Sequence, residues 1–196
     1  MVIMKKIKKT FISVICIIFV TGFAFFCLPT HGQAVQPKIA DILVSNNSEN
    51  LLLYARCVDC FKPEMESAIL AGVPTVFTLQ FDIYQERFLM WDKAVISKEI
   101  KRTIKYDNLK KTFSIYTNGS SEPVVFPDFE SAQKAMADFN GIIASSLTAL
   151  PKGNQYYLKM RVKVDKLQLP LHMEYVFFFV SFWDFETSWY EKEFRY

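Results

Sequence analysis

The feature that most constrains the fold is a two-residue alternation of apolar side chains in two separate segments. In residues 75–85 every second side chain is apolar, namely Phe77, Leu79, Phe81 and Ile83. Residues 156–164 have the same pattern, with Leu158, Met160, Val162 and Val164 as the apolar set. Because successive side chains of a strand point to opposite faces, each segment is predicted to be a strand with one buried face.

Shorter apolar runs predict further strands. Polar turn residues separate these runs, including the cluster at 45–50 and the pair Asn118-Gly119. Asn-Gly between two apolar runs is typical of a tight hairpin. The additional predicted strands are residues 39–44, 51–54, 91–106, 112–117, 124–126 and 183–194.

Two short helices are also predicted. Pro63 followed by Glu64 is typical of a helix start, because proline suits the first turn and an acid suits the helix dipole. Asp128 can cap a second helix, which we expect to continue to about Asn140. The apolar stripe of this second helix has helical spacing and consists of Phe129, Ala132, Ala135, Met136 and Phe139.

These elements predict a mainly β fold at the margin of α+β. Short turns and alternating faces are typical of antiparallel sheets, so we expect an antiparallel β-sandwich or a curved sheet with two short helices. No linker, repeat or low-complexity tract divides residues 35–196. We therefore expect them to form a single exported β-rich domain, and about 160 residues suffice to bury a core.

Residues 1–34 have a targeting pattern. Four lysines and no acid precede an apolar run of 18 residues at 11–28. A charged start, an apolar middle and small residues near a cut after Ala34 are typical of a secretory signal, whereas 18 apolar residues just reach the length of a membrane span. We expect either cleavage near Ala34 or an uncleaved helical anchor at 11–28 in the inner membrane. Either alternative places residues 35–196 in the periplasm or another extracytoplasmic space.

The formal charge of +3 arises from this N-terminal segment. The chain has 23 Lys and Arg against 20 Asp and Glu, and the four N-terminal lysines leave 19 against 20, a charge of −1 for the remainder. A nucleic-acid-binding domain carries its basic face on the folded body. Nucleic acid is therefore not predicted as a partner.

Cys57 and Cys60 form the sharpest local motif. They lie between a predicted strand and a predicted helix, where a helix N-terminus can favour the thiolate of a catalytic dithiol. Pro74 follows too soon for the crossover of a thioredoxin-like fold. We predict a structural disulfide in an oxidising compartment, and a thiol–disulfide protein or two free thiols remain alternatives.

Few other residues can build a reactive site. Structural zinc needs about four ligands, and His172 is the single histidine that residues 35–196 add to the two cysteines. No nucleophile motif accompanies His172, and no glycine-rich phosphate loop is present. We predict no catalytic residue, no metal and no cofactor.

Two regions are candidates for an interaction surface. A basic stretch contains Lys98, Lys101, Arg102 and Lys105, which is typical of a solvated strand face and also suits contact with an acidic partner or anionic lipid. Residues 175–196 contain eleven aromatic side chains, which suit core packing. An exposed aromatic patch would instead mark an interface, and its candidate members are Trp183, Trp189 and Tyr190.

The sequence resembles a bacterial exported family known as domain of unknown function DUF4390. The resemblance covers about residues 37–192 and rests on the order and spacing of its residues: Leu70-Ala71-Gly72-Val73-Pro74, Trp91, Tyr106, Leu109, Phe113, Arg161, Asp165, Leu169-Pro170-Leu171, Trp183 and Ser188-Trp189. It implies an exported or membrane-anchored protein and no known catalytic residue. Cys57 and Cys60, with the very aromatic C-terminal segment, depart from the family pattern.

Three functions are consistent with these features. The first is a non-enzymatic envelope module that contacts another envelope protein or the membrane surface. The second is a periplasmic thiol–disulfide protein that uses Cys57 and Cys60. The third is a binder of a small apolar ligand between the sheets.

Overall fold

The computed structural model describes residues 36–165 and 185–196. The predicted signal or anchor at 1–34 lies outside these residues. His172, Trp183 and the apolar run that precedes Trp183 also lie outside them.

The described residues contain ten strands, two α-helices and one 3₁₀ turn. The helices are α1 (Pro63–Leu70) and α2 (Phe129–Ala137), and the 3₁₀ turn is Leu147–Ala149. The strands are β1 (Lys38–Asn46), β2 (Asn50–Val58), β3 (Thr75–Gln85), β4 (Lys93–Asp107), β5 (Thr112–Thr117), β6 (Val124–Phe126), β7 (Asp138–Ser146), β8 (Gln155–Asp165), β9 (Phe185–Glu186) and β10 (Tyr190–Arg195).

The strands form two antiparallel sheets. The small sheet has the order β1-β2-β7, and the large sheet has the order β10-β8-β3-β4-β5-β6, with β9 paired to β8. The apolar faces of both sheets belong to one hydrophobic core. The fold is therefore mainly β with two short helices, as the sequence predicts.

The alternation in β3 and β8 is confirmed. Phe77, Leu79, Phe81 and Ile83 are fully buried, and the alternating apolar residues of β8 are buried beside them. The two strands pair directly, with Leu79 opposite Val162. Their apolar side chains face the small sheet and form the centre of the core, so the space between the sheets is filled by side chains.

Both helices begin where the sequence predicts. Pro63 occupies the first turn of α1, and Asp128 caps α2 by accepting a hydrogen bond from the Ser131 amide at 2.8 Å. This bond lowers the pKa of Asp128, because it stabilises the carboxylate. The buried faces of the helices, including Met65 and Met136, cover the core at one end of the sheets.

The prediction for the end of α2 is wrong. The helix ends at Ala137 rather than near Asn140, and residues 138–146 form β7, which the sequence analysis missed. Phe139 is buried as predicted, but it is buried from a strand. Residues 138–146 form a strand rather than a continued helix because β7 completes the small sheet by pairing with β2, whose edge would otherwise lack partners.

Two strand boundaries also differ from the predictions. β2 continues to Val58, so Cys57 lies within the strand rather than after it. The predicted final strand at 183–194 is interrupted, and within the described part it forms β9 and β10. Thr187 causes the break, because its buried hydroxyl accepts a hydrogen bond from the Val162 amide at 3.0 Å in place of a strand carbonyl.

Candidate functional site

Four successive apolar residues are exposed in the hairpin between β3 and β4. Four successive side chains are largely in solvent, with exposed fractions of 92% for Phe88, 89% for Leu89, 66% for Met90 and 94% for Trp91. We call these four residues the apolar tip. Runs of three or four exposed apolar residues are rare on soluble proteins unless they bind something.

The backbone of the tip is held at both ends. The Glu86 amide donates to the Gln155 carbonyl at 3.0 Å, and the Arg87 amide donates to Asp92 Oδ1 at 3.3 Å. Leu89 has a φ of +66°, a left-handed conformation that non-glycine residues seldom adopt. A leucine at such a position is not there for turn geometry, since glycine or asparagine would fit it with less strain.

Tyr84, Tyr157 and Asp92 form a polar collar at the base of the tip. Tyr84 and Tyr157 stack with ring centroids 5.1 Å apart, and the Tyr157 hydroxyl donates to Asp92 Oδ2 at 3.0 Å. Burial and this hydrogen bond to a carboxylate raise the pKa of Tyr157 to about 12. An open groove of about 810 Å³ lies beside the collar, with Lys159 and Glu191 in its wall.

The disulfide motif lies at the opposite end of the sheets. The sulfur atoms of Cys57 and Cys60 are at bonding distance, with Cα atoms 5.9 Å apart. Both residues are buried, with exposed fractions of 4% and 1%. Asp59 takes the left-handed conformation at the turn between them, which aspartate tolerates. Phe61 then stacks on Phe77 with centroids 4.8 Å apart, so the motif is packed into the core.

A second groove of about 470 Å³ is lined by charged residues and by Cys57 and Cys60 themselves. Arg56 donates to Asp138 at 2.7 Å and lies 3.1 Å from Asp41, so one guanidinium contacts carboxylates from β7 and β1. The hydrogen bond with Asp138 and its charge raise the pKa of Arg56. These ion pairs connect the three strands of the small sheet, which is a structural role.

Arg102, a candidate member of the basic interaction surface, directs its guanidinium toward backbone carbonyls. Its guanidinium donates to the carbonyls of Ala135 and Asp138 at 2.8 and 2.7 Å and lies 4.6 Å from the ring centre of Phe139. Burial lowers the pKa of Arg102, and Asp138 opposes this effect. Arg102 satisfies carbonyls at the end of α2 and connects the large sheet to the small one.

The predicted lysines do not gather on one face. Lys101 lies 3.7 Å from Glu99, and Lys105 lies over the ring of Tyr116. Lys98 is exposed, but it points to the face of β4 opposite to the other two lysines, because its position differs from theirs by an odd number. The structure therefore brings no basic patch together from this set.

The C-terminal aromatic residues are only partly exposed. The guanidinium carbon of Arg161 lies 4.3 Å from the ring centre of Trp189. Tyr190 begins the edge strand β10. Arg161 also contacts Glu186 and donates to Gln80 Oε1 at 2.7 Å. Trp189 is thus engaged in a polar network on the outer face of the large sheet, and Trp183 lies outside the described residues.

Sequence reasoning missed the apolar tip, because Trp91 was assigned to the start of a strand. A signal was present. The alternation of β3 stops at Gln85, and the four apolar residues then follow one another between the charged pairs Glu86-Arg87 and Asp92-Lys93. A strand with one buried face does not have such a run, so the pattern indicates that the half-buried strand ends before Phe88.

Neither helix within residues 36–165 and 185–196 has the length and hydropathy of a membrane span. Within the same residues, no three His, Cys, Asp or Glu side chains are placed together so that they could hold a metal ion.

The comparisons with known proteins give a family and nothing finer. Searches of curated proteins and of solved structures each found no match. A family model described as domain of unknown function (DUF4390) matches residues 34–193, which is most of the chain. The chain belongs to the DUF4390 family.

Proposed function

We propose that this protein is a non-enzymatic interaction module of the cell envelope and that the apolar tip is its binding element. The observation that carries the proposal is the exposure of Phe88, Leu89, Met90 and Trp91 at the end of a braced hairpin. Leaving this much apolar surface in water is unfavourable by about 25 cal/mol per Å², so a contact that covers the tip is stabilised by the same amount.

The envelope location rests on the N-terminal segment. Four lysines followed by the apolar run at 11–28 are typical of export, and the domain that follows carries a disulfide motif suited to an oxidising compartment. Cell fractionation tests this part of the proposal. A full-length product that stays soluble in the cytoplasm contradicts it.

The thiol–disulfide alternative has less support. A catalytic disulfide must present a sulfur to the thiolate of its substrate, whereas Cys57 and Cys60 are both buried. The small-ligand alternative has less support as well, since the centre of the core is filled by residues such as Phe77 and Phe81.

Site-specific photo-crosslinking tests the binding role of the tip. A photoreactive amino acid replaces Leu89 in one variant and Leu109 in a matched control. Leu109 is 95% exposed in the turn between β4 and β5, at the other end of the large sheet. We expect adducts in intact cells from position 89 and few from position 109. Equal yields from both positions contradict the proposal.

A further inference from the structure

We infer that the apolar tip inserts into the interfacial region of a lipid bilayer. This inference rests on the proposed function, because it names the partner of the same site. Three features of the hairpin favour a lipid surface over a protein partner: the polar surroundings of the tip, its charge balance and its shape.

The polar surroundings of the tip favour a lipid surface over a protein partner. An aromatic side chain buries about 150–250 Å², so the four tip residues together offer on the order of 600 Å². A standard protein interface buries about 800 Å² on each partner, a little over half of it apolar, so a protein partner would cover the polar residues around the tip as well. The groove beside the collar is polar, and a protein that covered it would have to desolvate side chains such as Glu86, Asn154 and Lys159. A bilayer covers the tip and leaves the collar among hydrated headgroups.

The residue types fit the depth of the interface. Tryptophan is enriched where hydrocarbon meets headgroups, and Trp91 stands at the base of the tip beside Asp92. Arg87 and Lys93 flank the apolar residues, and their long side chains can reach lipid phosphates while the tip lies deeper. The stacked tyrosines of the collar, Tyr84 and Tyr157, lie in β3 and β8, behind the hairpin that carries the tip.

The charges predict which lipid is sufficient. Glu86 and Asp92 balance Arg87 and Lys93, so residues 86–93 have no net charge. Attachment through the tip is then driven by apolar burial rather than by attraction to anionic lipid. Zwitterionic phosphatidylcholine should suffice, and added salt should change the insertion little.

The shape of the hairpin suits insertion. The tip side chains extend into solvent, and two hydrogen bonds tie the base of the hairpin to β8, one from the Glu86 amide to the Gln155 carbonyl and one from the Tyr157 hydroxyl to Asp92. Because the base is held in this way, little conformational entropy remains to be lost when the side chains enter the bilayer. An exposed apolar loop needs no matching pocket in a bilayer, which deforms around it.

Fluorescence quenching by brominated lipid tests the inference on the full chain in phosphatidylcholine vesicles. The emission of Trp91 is obtained as the difference between the parent protein and Trp91→Phe. Insertion predicts that bromine on the acyl chains quenches this emission. The matched control is the difference spectrum for Trp189→Phe, which reports a tryptophan on the outer sheet face and should be unaffected. Residues 11–28 can hold every variant on the vesicle equally, so quenching reports the tip and not overall attachment.

A double variant, Phe88→Ser with Leu89→Ser, removes two tip residues and keeps Trp91 as the reporter. Each lost apolar contact lowers the partitioning of the tip, so we expect the inserted population to fall about tenfold or more. The single variant Leu89→Ser should give a smaller loss in the same direction. All of these side chains lie in solvent, so circular dichroism should show an unchanged fold.

The outcomes separate this inference from the proposed function. Unquenched Trp91 emission, together with protein adducts from position 89 in cells, overturns the lipid inference and leaves an envelope partner protein. Adducts between two copies of the chain overturn it in favour of self-association. Unquenched emission with no adducts overturns the proposed function as well.

Discussion

The two ends of the domain differ in how far their apolar residues are exposed to solvent. At the disulfide end, Phe61 stacks on the fully buried Phe77, and the Cys57–Cys60 link closes the turn that leads to α1. At the tip end, Phe88 and Trp91 lie largely in solvent. Phe77 and Gln85 lie eight residues apart in β3, so the ends are separated by about 26 Å. One end of the domain thus has its aromatic residues packed, and the other presents exposed apolar residues for which a binding role is proposed.

The largest expected effect comes from the same substitution made at each end. Phe77→Ala removes a fully buried ring and should lower the free energy of unfolding by about 3–5 kcal/mol. Phe88→Ala removes an exposed ring and should change it by less than about 0.5 kcal/mol. Chemical denaturation of both variants measures the difference. Similar losses would show that the tip is part of the stable body.

Arg102 provides the next comparison. Arg102→Met leaves the carbonyls of Ala135 and Asp138 without their donor and removes the stacking on Phe139. We expect the free energy of unfolding to fall by about 1–3 kcal/mol. Lys101→Met is the matched control on the same strand, where an exposed ion pair contributes little. Thermal unfolding measures both variants, and equal melting temperatures would refute the bridging role of Arg102.

Removing the disulfide should have an effect of comparable or smaller size. Replacing both Cys57 and Cys60 with serine should lower the free energy of unfolding by about 2 kcal/mol, because the closed loop is short. Insulin reduction should be absent in the parent protein and in the variant, since both sulfurs are buried in the parent. Insulin reduction by the parent protein that the variant lacks would restore the thiol–disulfide alternative.

The smallest expected effect has the opposite sign. Leu89→Asn places a residue that tolerates the left-handed conformation at φ +66°. The free energy of unfolding should rise by about 0.5–1 kcal/mol, while insertion of the tip into vesicles should weaken. Leu109→Asn should change neither quantity. A loss of stability in Leu89→Asn would show that Leu89 has a packing role.

The sequence predicted the elements in which local pattern and tertiary context agree. The alternation of β3 and β8 needs no other information, because one buried face requires it. The stretch after Ala137 was predicted as helix because Phe139 has helical spacing from Met136, yet its hydrogen-bonding partners lie in β2. That pairing joins segments about eighty residues apart, and local periodicity carries no information about it.

The candidate site was harder to predict than the fold. Lys98, Lys101, Arg102 and Lys105 are close in sequence, but strand geometry divides them between two faces, and Arg102 is drawn inward by the end of α2. The tip was visible as four successive apolar residues, but its exposure depends on the hairpin extending beyond its neighbours. Sequence alone does not show where a sheet ends.

The most direct test of the separation between a stable end and a binding end is the reactivity of one cysteine at each. Leu89→Cys and Leu109→Cys are labelled with a maleimide, and the labelling of the parent chain is subtracted. In purified protein both positions should react at similar rates, since both are exposed. In intact envelopes position 89 should react much more slowly than position 109, because its partner covers it. Equal rates in the envelope would contradict the account.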